Sequence, residues 1–228
     1  MKRRALLAVS VSASLLLGGC SSAEAPREQP SSAPSAASPA PSAISPFELL
    51  YKASHLPPER VERLQAACER IRTSLAKKNP AFAETELRIL QGSDRFTCHL
   101  GSTAFSVTAF SQSRYCPDSS GGTIVLAANG INAIPENPAL EKYAFLHEFG
   151  HHNQTLKGVL IDGDTPTALV QELEAQATCF AGAEMATGTR QDIQTVEDYL
   201  ERIPTDTVHG AGATQAQAFR NGVNGAVC

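Results

Sequence analysis

The sequence of 228 residues has no tryptophan, only two methionines and few aromatic residues (6%). Basic residues are not in excess, because 19 Lys and Arg stand against 23 Asp and Glu, for a formal net charge of −4. A net acidic chain without a basic patch argues against nucleic acid as the main partner. The only long apolar run lies at the N-terminus, so a membrane protein with several spans is excluded. No GxGxxG, P-loop or GxSxG motif is present, and nucleotide binding and serine-hydrolase chemistry therefore have no support.

Residues 1–19 have the pattern of a bacterial lipoprotein signal. The basic triplet Lys2-Arg3-Arg4 precedes an apolar run that is too short to span a bilayer, and the run ends in Leu17-Gly18-Gly19-Cys20. In such signals the cysteine becomes the lipid-modified first residue of the mature chain, whereas an ordinary secretory signal with a chance cysteine is the alternative. We therefore expect an exported protein that a lipid on Cys20 holds at the extracytoplasmic face of the bacterial membrane.

Residues 20–46 are expected to form a disordered tether. Of the 26 residues that follow Cys20 in this segment, 8 are Ser, 7 are Ala and 6 are Pro. Such a composition cannot bury enough apolar surface to offset the entropy lost on ordering. The remaining residues, 47–228, are enough for one domain with a hydrophobic core.

The pattern of apolar residues in this domain predicts an α+β fold. A helix over residues 61–75 is followed by strands over 85–91, 103–110 and 123–127, the last being the most β-branched. Three helices are expected to begin at Asn137-Pro138, at Thr165-Pro166 and at an Asp192 cap, and a short helix over 213–221 ends the chain. Helices and strands do not alternate, which argues against a parallel βαβ arrangement.

Five cysteines follow Cys20, and disulfides are expected in an exported protein. Because five is an odd number, at least one thiol stays unpaired within the chain. We favour a bond between Cys98 and Cys116, which would close a short loop between strands. A bond between Cys179 and Cys228 is the second choice.

The residues that indicate chemistry are His147-Glu148-Phe149-Gly150-His151. Two histidines four residues apart lie on one face of a helix and can bind one Zn²⁺ ion, while the glutamate can reach a water on that ion. The alternative is a polar helix face with solvated histidines. His152 lies about 100° around the helix from its neighbour and is expected at the surface or behind the ligands. Tyr143, one turn before His147, is expected in the core.

A catalytic zinc site needs a third protein ligand and leaves the fourth position to water. The following helix offers Glu172 and Glu174. Residues two apart on a helix face nearly opposite ways, so only one of these glutamates can be the ligand.

Four segments together resemble the bacterial neutral zinc metallopeptidases. The segment His147 to Gln154 is similar to the metal-binding helix of that family, including the doubled histidine. Tyr115-Cys116-Pro117 resembles its Tyr-Cys-Pro turn, and Glu174-Ala175-Gln176-Ala177-Thr178-Cys179-Phe180-Ala181-Gly182 resembles its Glu-Leu-Gln-Ala-Asp-Cys-Phe-Ala-Gly helix. His209-Gly210 and the segment Gln217 to Gly222 resemble its C-terminal motif. The resemblance covers residues 113–228, about half of the chain, and leaves residues 47–111 unplaced.

The resemblance implies a zincin-like fold with one Zn²⁺ per chain, bound by His147, His151 and Glu174. The family has an aspartate where this chain has Thr178. That aspartate is expected to orient a ligand histidine, and losing such a partner typically costs about 10–100-fold in metal affinity or activity. Another carboxylate, Asp162 or Asp164, is a candidate substitute. His209 is either a group that stabilises the oxyanion of the reaction or a structural loop histidine.

The resulting hypothesis is a metallopeptidase that cleaves a peptide or protein substrate, with Glu148 as general base. The strand Thr123–Ala127 (Thr123, Ile124, Val125, Leu126 and Ala127) is expected to be the sheet edge along which the substrate binds, approached over Gly121-Gly122. Two alternatives remain open. One is a catalytically weak or inactive zincin-like lipoprotein that acts as a binding or assembly module, and the other is a zinc amidase that acts on cell-wall peptides.

Overall fold

The computed structural model describes residues 46–100, 103–117, 121–159 and 165–228. The predicted signal, the lipidation site Cys20, most of the tether and the candidate carboxylates Asp162 and Asp164 lie outside these residues. No helix within the described ranges is long and apolar enough to cross a membrane.

The described residues form a mixed α+β structure, as the sequence predicts. The helices are α1 (Pro46–Ser54), α2 (Pro58–Ala76), α3 (Ala128–Asn132), α4 (Pro138–Leu156), α5 (Thr167–Met185), α6 (Arg190–Arg202) and α7 (Gly212–Val223), with a 3₁₀ helix at Pro80–Glu84. The strands are β1 (Glu86–Leu90), β2 (Arg95–Leu100), β3 (Thr103–Thr108), β4 (Arg114–Cys116) and β5 (Thr123–Ala127).

Three strands form the main sheet in the order β1-β5-β4. β5 is parallel to β1 along its whole length and antiparallel to the short strand β4. All five residues of β5 are buried, which agrees with its β-branched and aliphatic sequence. Strands β2 and β3 form a separate antiparallel hairpin.

The main core lies between the sheet, α2 and the C-terminal helices. α2 contributes the buried residues Leu64, Cys68, Ile71 and Leu75, which recur at helical spacing. α4 is buried on nearly all sides and runs through the middle of this core. Because α4 is the central helix, its polar side chains are held away from bulk solvent.

Two disulfides join parts of the fold that are distant in sequence. Cys98 of β2 is bonded to Cys116 of β4, and Cys179 of α5 is bonded to Cys228. These are the pairs favoured from the sequence. The fifth cysteine, Cys68, is a free thiol in the core, and burial raises its pKa to about 12.

Several predicted elements differ from the observed ones. The strand predicted over 103–110 ends at Thr108, because a turn at Ser111 closes back on it. The predicted Asp192 cap is wrong, because α6 begins at Arg190 and the Thr189 hydroxyl accepts from the Asp192 backbone N–H. The short elements α1, α3, β2 and β4 had no predicted counterpart.

Candidate metal centre

The helix α4 holds three of the predicted site residues in a fixed register. The Asn137 side chain accepts from the backbone N–H of Ala139 at 2.8 Å, and Pro138 occupies the first turn, so the helix begins as predicted. His147, Glu148 and His151 follow near the middle of the helix. Their positions on one turn bring the two imidazole rings within 4.8 Å of each other, centroid to centroid.

Close contact between α4 and α5 brings a carboxylate to the two histidines. A Cβ atom added at Gly150 would lie 2.7 Å from Cα and 2.8 Å from the carbonyl oxygen of Ala177. Only a glycine allows this approach, because carbon atoms normally meet at about 3.5–4.0 Å. Glu174 lies one turn before Ala177 on the same face of α5 and therefore reaches the site. Glu172 is exposed and accepts a hydrogen bond from Gln176, so it does not take part.

The three candidate ligand atoms lie at distances that fit a single tetrahedral ion. Nε2 of His147 and Nε2 of His151 are 3.2 Å apart, and they lie 3.0 Å and 3.4 Å from Oε2 of Glu174. Zinc bonds of about 2.0–2.1 Å in tetrahedral geometry separate two ligand atoms by about 3.3 Å. His147, His151 and Glu174 are accordingly the group of side chains in the described residues that could hold one metal ion.

A chain of hydrogen bonds fixes the tautomer of His147. The Gln215 amide donates from Nε2 to the carbonyl oxygen of His209 at 2.5 Å, so its oxygen faces Thr178 and accepts the threonine hydroxyl proton at 2.6 Å. Having given its one proton to Gln215, Thr178 Oγ1 accepts from Nδ1–H of His147 at 3.1 Å and from the Tyr143 hydroxyl at 3.2 Å. The lone pair of a neutral His147 ring is therefore on Nε2, which faces Glu174.

His151 is fixed in the same way by another glutamine. The buried Gln154 donates from Nε2 to the carbonyl oxygen of Leu173 at 2.7 Å, which turns its oxygen toward Nδ1 of His151 at 3.0 Å. Nδ1 of His151 must therefore carry the proton, and Nε2 offers its lone pair to the site. Both imidazoles thus present the nitrogen that a metal ion requires, held by neutral acceptors rather than by carboxylates.

The electrostatics of the cluster are those of a buried group of opposite charges. Burial opposes a charge on His151, but its contacts with Glu174 outweigh the burial and raise the pKa of His151 to about 9. Burial likewise opposes the charge of Glu174, yet the hydrogen bonds with His147 and His151 hold the pKa of Glu174 well below its usual range. Protons and a divalent cation can therefore both balance Glu174 at this place.

Glu148 lies in the same cavity as these three residues. The cavity has a volume of about 240 Å³. The Glu148 side chain is mostly buried, and its Oε2 atom has no hydrogen-bond partner among the described residues. Buried carboxylate oxygens are normally hydrogen-bonded, so an unpartnered one next to a candidate metal centre suits a group that handles a water or a substrate.

His209 approaches the cluster from the loop before α7. Its Nε2 atom lies 3.7 Å from Oε2 of Glu174, and its Nδ1 atom lies 2.9 Å from Oδ2 of Asp206. Desolvation works against the charge of Asp206, but hydrogen bonds from the His209 ring and backbone outweigh it and lower the pKa of Asp206. His209 therefore faces the cavity in an orientation set by Asp206, outside the group of three ligand atoms.

Three predictions about the surroundings of the site are wrong. β5 is the central strand of the sheet, with β1 on one side and β4 on the other, so Thr123–Ala127 offers no free edge to a substrate. Gly121 and Gly122 do not admit a ligand, because they have positive φ and pack against Glu84 and Tyr115. His152 is buried rather than exposed, and its Nδ1 atom contacts the Tyr115 hydroxyl at 2.9 Å, on the side of α4 away from the candidate ligands.

Tyr143 and Thr178 lie where they are expected. Tyr143 is buried in the core, and burial raises the pKa of its hydroxyl above the usual value. Thr178 is fully buried behind His147, at the place of the family's aspartate.

The sequence pattern did not single out Gln215, Asp206 or the role of Gly150. The one signal for Asp206 is its spacing of three residues before His209, which allows a side-chain contact within a tight loop. Gln215 carries no such signal, since its partners Thr178 and His209 are joined to it only by the packing of α7 on α5.

Comparisons with models of known families, with curated proteins and with solved structures each found no match for this chain. The resemblance to the bacterial neutral zinc metallopeptidases is therefore carried by the quoted motifs alone.

Proposed function

We propose that this protein is a zincin-like zinc metallopeptidase that resembles the bacterial neutral zinc metallopeptidases, exported and anchored to the membrane by a lipid on Cys20. The observation that carries the proposal is the convergence of two Nε2 lone pairs and one carboxylate oxygen at 3.0–3.4 Å, with both histidine tautomers fixed by the surrounding hydrogen bonds. Chance clusters of acids and histidines have no reason to have every ligand nitrogen oriented in this way.

The residues around the cluster supply the remaining parts of a peptide hydrolase. A zinc ion held by His147, His151 and Glu174 would provide Lewis acidity, polarising a scissile carbonyl and lowering the pKa of the attacking water. The Glu148 carboxylate takes the proton from that water and delivers it to the leaving amine. His209, whose positive charge Asp206 stabilises, donates from Nε2 to the oxyanion that forms on the substrate.

The outer strand β4 takes the role expected of β5. β4 has β5 on one side and no strand on the other within the described part of the chain, and Arg114 and Tyr115 line the cavity that contains Glu148. An extended peptide can add to such an edge through main-chain hydrogen bonds. The contact between Tyr115 and His152 supports this arrangement, because it fixes β4 against the helix that carries the candidate ligands.

The test is zinc content and proteolysis measured on the same preparations of the full chain. The wild-type chain is expected to hold one zinc ion and to cleave an unfolded protein such as casein. Glu148→Gln should keep the zinc but lower the rate at least about 100-fold, in the range found when a general base is removed. His151→Ala should lose the zinc. Full activity of Glu148→Gln, or stoichiometric zinc in His151→Ala, would show that these roles are wrong.

A matched control is available on the neighbouring helix. Glu172 is an exposed glutamate of α5 two residues from Glu174. Glu172→Gln removes the same charge near the site without removing a proposed function, so zinc content and cleavage should stay at the wild-type level.

The uncharged neighbour of His147 favours a second candidate function. Thr178 orients the ring but adds no negative charge, and a less basic imidazole binds zinc more weakly. A zincin-like lipoprotein with an empty site would then serve as a binding or assembly module. A folded wild-type chain that takes up no zinc at micromolar free concentration would favour this function over the enzyme.

A further inference from the structure

One arginine shares the cavity of the candidate metal centre. Arg114 of β4 and Phe105 of β3 both line the cavity, on the wall formed by the strands. Among the described residues that line it, Arg114 is the one lysine or arginine, and the two acidic residues are Glu148 and Glu174. A divalent ion would balance those two carboxylates, which leaves the charge of Arg114 uncompensated.

Arg114 is held in place without an anionic partner. Its guanidinium carbon lies 4.8 Å from the centre of the Phe105 ring, in a cation–π contact. It forms no ion pair with any described residue, and its Nε atom is buried without a hydrogen-bond partner. Most arginine and lysine side chains that contact an acid in this fold do so at 2.5–3.1 Å, so the lack of a partner sets Arg114 apart.

An arginine in this condition is suited to a carboxylate. The guanidinium group stays charged at any physiological pH, is weakly hydrated, and presents a planar set of donors that matches the two oxygens of a carboxylate. Stacking on Phe105 fixes the plane of the group in advance and reduces the entropy lost when a ligand binds. The rest of the wall includes the apolar residues Leu100, Val170 and Val208, which offer no competing charge.

We propose that Arg114 is a specificity-determining residue that binds a carboxylate of the peptide substrate beside the cleaved bond. This inference rests on the proposed function, because it names the substrate class of the same site. The carboxylate can come from an acidic side chain or from the C-terminus of the peptide. Both sources share one chemistry, and the design of the substrates separates them.

The experiment measures kcat/KM of the full chain on matched fluorogenic peptides. One set has an amidated C-terminus and carries either Glu or Gln at each position around the cleaved bond in turn. A second set has Gln throughout and a free C-terminal carboxylate. We expect either one Glu position or the free C-terminus to raise kcat/KM about ten-fold over the neutral peptide, as one charge-assisted hydrogen-bonded pair allows.

The variants assign that preference to Arg114. Arg114→Gln should reduce the ratio between the charged and the neutral peptide to about one, and Arg114→Glu should prefer a Lys peptide over its Gln counterpart. Arg95→Gln is the matched control, because Arg95 is an exposed arginine of the same hairpin that does not line the cavity, and its ratio should equal that of the wild type. Zinc content and circular dichroism of each variant verify the fold.

Two results would overturn the inference, and they differ in what they leave standing. If the wild-type chain cleaves peptides but the ratio is about one, or is unchanged in Arg114→Gln, Arg114 does not select the substrate and the proposed function stands. If the zinc-loaded wild-type chain cleaves none of the peptides and no casein, the proposed function and the inference fail together.

Discussion

The glycine inside the metal-binding motif offers a direct test of how the candidate site is built. Gly150 faces α5, where its added Cβ would lie 2.7 Å from Cα of Ala177 and 3.0 Å from Cβ of the same residue. In an exposed helix, changing glycine to alanine stabilises the helix by about 1 kcal/mol. Here the same change forces two packed helices apart, so Gly150→Ala separates helix propensity from the geometry of the site.

The size of the displacement follows from the contact distances. Carbon atoms pack at about 3.5–4.0 Å, so α5 must move away from α4 by about 1 Å near Ala177. Glu174 is one turn away and moves with it. Its Oε2 atom, now 3.0 Å and 3.4 Å from the two histidine Nε2 atoms, would lie about 4 Å from them, beyond the separation of about 3.3 Å that a tetrahedral zinc ion bridges.

We therefore expect Gly150→Ala to weaken zinc binding by about 100-fold or more, since loss of an outer partner alone costs about 10–100-fold. Overpacking costs about 1–3 kcal/mol. The gain in helix propensity of about 1 kcal/mol offsets part of it, so the net loss of stability is about 0–2 kcal/mol. The chain should stay folded, and the effect on zinc should exceed the effect on stability.

The assay is competition for zinc against a chromophoric chelator, together with chemical denaturation of the metal-free chain. Gly182→Ala is the control, because an added Cβ at Gly182 would clash with the Phe219 carbonyl oxygen at the contact between α5 and α7. That change should lower the free energy of unfolding without separating α4 from α5, and zinc affinity should change much less. A folded Gly150→Ala chain with wild-type zinc affinity would refute the proposed dependence of the site on this contact.

Two further predictions concern the groups behind the cluster. Thr178→Val keeps the shape of the side chain but leaves Nδ1–H of His147 and the Tyr143 hydroxyl without their acceptor, so we expect a loss of about 1–3 kcal/mol in the free energy of unfolding and weaker zinc binding. Thr178→Ser should restore both quantities, and an unchanged denaturation midpoint in Thr178→Val would contradict the hydrogen-bond assignment. Asp206→Asn removes the charge behind His209 and should lower kcat about ten-fold or more with little change in KM and one zinc ion still bound. A wild-type kcat in Asp206→Asn would place His209 outside the chemistry.

The candidate ligands could be predicted from the sequence because their geometry is local. The period of one helix places His147 and His151 on the same face, and the Asn137-Pro138 pair marks where that helix begins. Glu174 needed the family resemblance, since nothing local distinguishes it from Glu172. In the structure, burial distinguishes them, because the contact at Gly150 brings only one face of α5 to the site.

The position of β5 could not be predicted in the same way. A run of apolar residues such as Thr123–Ala127 shows that a strand is buried, but the pattern does not show which strands lie beside it. Its parallel partner β1 comes from a segment more than thirty residues earlier in the chain, and β4 adds to the other edge by only three residue pairs. Such long-range pairing depends on the whole fold, so the substrate edge was assigned to the wrong strand.

The replacement of the family's aspartate by Thr178 separates two roles that a carboxylate combines. A carboxylate behind a ligand histidine both orients the ring and raises its basicity. Thr178 can orient the ring only if its own proton points elsewhere, and Gln215 ensures this by accepting that proton while its amide is held by the carbonyl oxygen of His209. The orientation of His147 is thus tied to the loop that carries His209. A change that moves this loop would also release His147, so the candidate metal centre and the candidate oxyanion group are coupled through Gln215 rather than built independently.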